Sequence, residues 1–125
     1  MSMSIYYTAH RPQPLSTEER SSIREVEVQF AVEHRIAERE RTGTGPNWES
    51  FCIYDPHNPS EPTVVFEGAT KLPDTSQDDC WEGLQHWCQA LTAIRRILST
   101  AEWSVLVDDH DIHWNEEQQE FDPSG

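Results

Sequence analysis

The spacing of apolar residues changes several times along the chain, and each change predicts an element. The clearest signal covers residues 77–98. Cys80, Leu84, Trp87, Leu91, Ile94 and Leu98 recur at alternating spacings of four and three, which puts them on one face of a helix. Cys88 and Ile97 widen that stripe. Asp78 or Ser76 can cap its start, and Arg95 and Arg96 fall in its last turn, where the helix dipole favours cations. An earlier helix is predicted after Ser16, which precedes Glu19 at the spacing of a capping box. Ile23, Val26, Phe30 and Ala37, with Val28, Val32 and Ile36 beside them, carry this helix to about Arg41. Gly43 then provides a C-terminal stop.

Between the helices the pattern shortens. "SIYYTAH" (4–10) is aromatic-rich and ended by Pro12 and Pro14, "WESFCIY" (48–54) and "TVVFEG" (63–68) flank a proline-rich loop at 55–62, and "AEWSVLV" (101–107) follows the last helix. All four read as strands. "DDHD" (108–111) reads as a turn into a fifth strand, "IHWNEE" (112–117), with Phe121 pinning the tail and residues 123–125 fraying. A length of 125 residues suits one domain spanning 1–125. The predicted class is α+β: an antiparallel sheet with two helices on one face, in the ferredoxin-like βαββαβ order, plus a C-terminal hairpin extension.

Charge sharpens the picture. Nine basic residues against twenty-three acidic ones give a net charge of −14. The imbalance grows along the chain, from −1 over residues 1–41 to −5 over 42–96 and −8 over 97–125, and Arg96 is the last basic residue. Nucleic acid and anionic membrane would both be repelled, so neither is an expected partner. The three cysteines, Cys52, Cys80 and Cys88, have no disulfide-framework spacing. About two helical turns separate Cys80 from Cys88, too far for a disulfide. Cys52 and Cys88 both read as reduced core thiols. "MSMSIYYTAHRPQP" lacks the basic-then-apolar pattern of a secretory signal, and no apolar run exceeds four residues. The expected compartment is the cytoplasm.

The segment "VDDHDIHWNEEQQEFD" (107–122) concentrates candidate chemistry. It holds seven carboxylates, His110 and His113, and no basic residue. Metal binding is not expected. There is no C-x2-C pair and no H-E-x-x-H, and His113 occupies the place where a calcium loop starting at Asp108 needs glycine. Catalysis is not expected either, because no P-loop, nucleophile elbow or dinucleotide fingerprint occurs. No cofactor is implied. Trp103, Val105, Val107, Ile112, Trp114 and Phe121 punctuate the acidic stretch after Arg96 and argue for order rather than a free tail. What remains is an acidic surface for a basic protein, formed by Asp108, Asp109, Asp111, Glu116, Glu117 and Glu120, with Trp114 as its anchor or else as a core residue. Solubility alone is the plain alternative.

In size, charge and the acidic, tryptophan-bearing segment "AEWSVLVDDHDIHWNEEQQEFDP", the chain resembles the small acidic immunity proteins encoded beside bacterial polymorphic and contact-dependent toxins. The resemblance implies a non-enzymatic cytoplasmic inhibitor of a cognate toxin with a basic surface. The same charge would suit an acidic nucleic-acid mimic of the anti-restriction or anti-CRISPR type. An enzyme with a carboxylate or metal centre is a third reading.

Overall fold

The computed structural model of the chain describes residues 3–54 and 61–124. The elements run β1 (Ser4–His10), α1 (Thr17–Gln29), α2 (Glu33–Thr42), β2 (Val64–Lys71), α3 (Gln77–Ile97), β3 (Glu102–Val107), β4 (His110–Asp111), β5 (His113–Asn115) and β6 (Glu120–Asp122). This is the expected α+β class. A four-stranded antiparallel sheet has the order β2-β1-β3-β4, and β5 and β6 form a separate C-terminal hairpin.

Alternation along β1 decides the layers. Ile5, Tyr7 and Ala9 are buried, whereas Tyr6 between them is exposed. The buried face joins Ile23 and Val26 of α1 and Trp87, Leu91 and Ile94 of α3 in one core, so α1 and α3 cover one face of the sheet and contact each other. The opposite face, with Tyr6, Thr8 and Ser104, is left open among the described residues.

The ferredoxin-like order is not what the sheet displays. The strand expected over 48–54 contributes one bridge, Ile53 to Gly68, and one further bond, from the Tyr54 amide to the Glu67 carbonyl. The hairpin expected between it and β2 falls largely on residues 55–60, outside the described residues. β2 instead pairs antiparallel with β1 along its length. A flat strand would send Trp48 and Phe51 to opposite faces. Both turn inward: Phe51 stacks on Tyr7 with centroids 4.8 Å apart and on Trp87 at 5.1 Å, and Trp48 meets Trp87 edge-on at 6.2 Å. Gly68 permits this path, since a Cβ there would lie 2.1 Å from the Cys52 carbonyl oxygen.

The first expected helix is two. The capping box at Ser16 and Glu19 forms as predicted. Arg11 grips the Glu19 carboxylate, with one contact at 2.7 Å, and together with the Ser16 amide it pulls that carboxyl down to about 2. α1 ends at Gln29, however, and α2 restarts at Glu33. In one continuous helix Val32 would point roughly 240° away from Val26, at about 100° per residue. The break brings Val32 into the core and leaves Val28 71% exposed. His86 of α3 closes the junction, its Nε2 lying 2.7 Å from the Phe30 carbonyl oxygen. That contact fits an Nε2–H donor.

α3 follows its prediction closely. Ser76, rather than Asp78, caps it, accepting from the Asp79 amide at 3.0 Å. Trp87, Leu91, Ile94 and Leu98 are buried, and Cys80 and Leu84 are half-buried at the start of the stripe.

Candidate functional site

The acidic segment begins at a tight turn. Val107 pairs with His110, which leaves Asp108 and Asp109 at the tip, and Asp108 takes a left-handed conformation at φ 55. Aspartate tolerates that region better than most residues. The turn is therefore two residues long, shorter than the expected 108–111, and Asp111 lies in β4 opposite Leu106. Asp108, Asp109, His110, Asp111 and His113 are all exposed. Ile112 is buried, and its amide donates to the Val105 carbonyl at 2.8 Å. It ties the segment to β3.

Beyond Ile112 the chain forms the β5–β6 hairpin over the C-terminal end of α3. Phe121 is buried, and its amide donates to Thr92 Oγ1 at 3.0 Å. Phe121 thus pins the tail as predicted. Trp114 meets Phe121 edge-on at 5.1 Å, and the Arg95 guanidinium covers the Trp114 ring at 4.1 Å. Arg96 Nη2 donates to the Gln119 carbonyl at 2.9 Å. The tip is bonded to itself: the Gln118 amide donates to Asn115 Oδ1 at 2.9 Å, and Gln119 Nε2 to the Glu116 carbonyl at 2.6 Å. The segment is ordered by specific contacts, with Glu116, Glu117 and Glu120 exposed around it.

These contacts divide the seven residues named from sequence into two groups. Asp108, Asp109 and Asp111 lie at the end of the sheet nearest the start of α3. Asp108 and Asp74 both act on the Cys80 thiol, whose pKa is raised first by burial and then by these carboxylates. Glu116, Glu117 and Glu120 lie at the other end, beside Arg95 and Arg96. From Cys80 to Arg96 along α3 is about 24 Å at 1.5 Å per residue. Asp111 and Glu116, the nearest members of the two groups, are joined by five residues of chain and lie at most about 18 Å apart, about two Debye lengths at physiological salt.

They also differ in compensation. At the hairpin end Arg95 and Arg96 stand among the acids, and the Arg95 guanidinium, partly desolvated beneath the hairpin, interacts with Glu116. At the turn end Asp108, Asp109 and Asp111 join Asp74 and the first-turn acids Asp78 and Asp79 of α3. Lys71 sits two strands from Asp108, across Ser4, and makes no ion pair with these acids among the described residues. Among the described residues no acid at the turn end is in an ion pair.

Sequence reasoning missed one residue there. Trp81, on the first turns of α3 beside Cys80, is 42% exposed. Trp114, the expected anchor, is half-buried and engaged by Arg95 and Phe121. Helical spacing did not mark it, because Trp81 stands three residues before Leu84 and seven before Cys88, on the edge of the widened stripe.

Among the described residues no three His, Cys, Asp or Glu side chains converge as a metal-binding group, and no helix is long and apolar enough to cross a membrane. The three cysteines are free. Cys88 is buried and its thiol is pushed up to about 12 by desolvation. Cys52 corrects an expectation: it is exposed rather than part of the core. Its carbonyl accepts a hydrogen bond from the Tyr7 hydroxyl, which Thr70 Oγ1 also contacts at 2.8 Å. No protein-family model, curated protein or solved structure matches this chain.

Proposed function

We propose that the protein is a non-enzymatic inhibitor that binds a basic protein through the turn end of its sheet, in the manner of an immunity protein neutralising its cognate toxin in the cytoplasm. One observation carries the reading. The fold gathers Asp74, Asp78, Asp79, Asp108 and Asp109 at one end, without an ion-pairing base among the described residues, and places the exposed Trp81 beside them. Like charges held together cost stability, and a basic partner relieves that repulsion on binding. An exposed tryptophan supplies the apolar contact that dominates interface energy, while the surrounding acids set encounter rate and orientation. Glu116, Glu117 and Glu120 belong to a second patch, beside Arg95 and Arg96, with a smaller share in steering.

The test is co-purification with the product of the adjacent gene, followed by association kinetics at two salt concentrations. Replacing Asp108, Asp109 and Asp111 by Asn should slow association and flatten its salt dependence. The Glu116, Glu117 and Glu120 to Gln triple variant should do so less, and Trp81→Ala should mainly speed dissociation. Equal, small effects of both triple variants would assign the acidity to solubility.

A further inference from the structure

The chain has nine basic residues, and the fold commits most of them. Arg11, Arg35 and Arg41 are in ion pairs, Arg39 donates to the Gly45 carbonyl, and Arg95 and Arg96 hold the C-terminal hairpin. The side chains of Arg20, Arg24 and Lys71 make no ion pair, hydrogen bond or ring contact among the described residues. Two of these three, Arg20 and Arg24, stand one turn apart on α1 and line the same cavity.

That cavity lies between α1 and the outer edge of β2 and holds about 360 Å³. Its apolar lining comes from Leu15, Ile23, Ile53, Val64, Val65 and Phe66. Its size is within the range of small-molecule sites, which combine an apolar wall with a few polar groups. The acidic groups at its rim are already answered. Glu27 is partly desolvated, which raises its pKa, and Arg24 is the charge acting on it. Glu67 is engaged by other contacts. Arg20 has no answering carboxylate among the described residues.

We propose that this cavity binds a small amphipathic carboxylate, an apolar acid whose body lies against Ile23, Val65 and Phe66 and whose carboxylate is taken by Arg20 with help from Arg24. The site is on the helix side of the β2 edge and uses none of the acids at the turn end, so it is independent of the inhibitor reading. A guanidinium beside an apolar wall binds a carboxylate through charge-assisted hydrogen bonds, and an apolar alcohol of the same length lacks that contact.

The probe is octanoate, titrated into the full chain and followed by backbone amide NMR shifts, with octanol and octylammonium as matched comparisons. Octanoate should shift the amides of Ile23, Ile53 and Val65. Octanol should bind more weakly and octylammonium not at all. Arg20→Gln, an exposed helical substitution, should weaken octanoate binding about tenfold or more, while Arg41→Gln, which removes the same charge from α2, should leave it unchanged. Absence of octanoate binding, octanol binding as tight as octanoate, or an Arg20→Gln chain that binds octanoate like the parent would each overturn the assignment.

Discussion

Arg95→Met removes the guanidinium that lies 4.1 Å from the centre of the Trp114 ring and 5.4 Å from that of Phe121, and keeps an apolar stem in its place. Cation–π contacts contribute about 0.5–1 kcal/mol when exposed and about 2 kcal/mol when desolvated. Arg95 is half-buried and its pKa is lowered by desolvation, so about 1–2 kcal/mol is expected for the contact. Arg95→Ala also removes the packed stem, at about 0.8 kcal/mol per buried methylene, and should cost about 2–3 kcal/mol in all. The hairpin keeps two other ties, Phe121 to Thr92 and Arg96 to Gln119. The loss should therefore show first as local opening. Hydrogen exchange of the amides in 113–122 should accelerate by an amount equivalent to about 1–2 kcal/mol in Arg95→Met, while the amides of Leu91 and Ile94 change no more than global stability does. The near-ultraviolet circular dichroism of Trp114 should fall in parallel. Parental exchange rates in both variants would show that the guanidinium does not hold the hairpin, and the account of why this acidic segment is ordered would fail.

Other perturbations probe the rest of the fold. Gly68→Ala would place a methyl group 2.1 Å from a backbone oxygen of Cys52 and 2.6 Å from the Tyr7 ring; it should lower urea-unfolding stability by about 1–3 kcal/mol, and a loss under about 0.5 kcal/mol would contradict the close crossing. Leu91→Ala, at a fully buried position, should cost about 2–5 kcal/mol in the same assay. His86 faces Phe30, Trp48 and Trp87, with Arg35 and Glu82 close by, and desolvation holds its pKa below 6.5. A lowered histidine pKa means the unfolded chain binds the proton first. Its contribution to stability is therefore complete above pH 6.5 and declines as pH falls below that value towards the lower folded pKa. Urea midpoints measured from neutral to mildly acid pH should show this slope, and His86→Gln should remove it.

The elements legible in the sequence are those whose signals are local. The four-and-three spacing from Cys80 to Leu98 specified α3, because a helix repeats its faces over a few residues whatever surrounds it. Ser16 with Glu19 specified the start of α1, because a capping box closes within four residues. The aromatic-rich, proline-bounded run 4–10 and the apolar run 101–107 specified β1 and β3, and the apolar punctuation of the acidic tail specified its order, which Ile112, Trp114 and Phe121 supply.

Tertiary structure decided whatever required knowing what stands opposite. Residues 48–54 have the composition of a strand, but Trp48 and Phe51 both find aromatic partners in the core, and a pleated strand cannot deliver both to one side. The first helix breaks at residues 30–32 because Val32 gains burial and His86 takes the Phe30 carbonyl, a partner fifty-six residues away. The acidic segment is one run in sequence but two patches in space, because β4 and the β5–β6 hairpin carry it along the length of α3. Arg95 and Arg96, assigned by sequence to the helix dipole, instead reach across to hold the hairpin, at the Trp114 ring and the Gln119 carbonyl. Charge along a chain is additive, but the field a partner meets depends on distances and counter-charges that only packing sets.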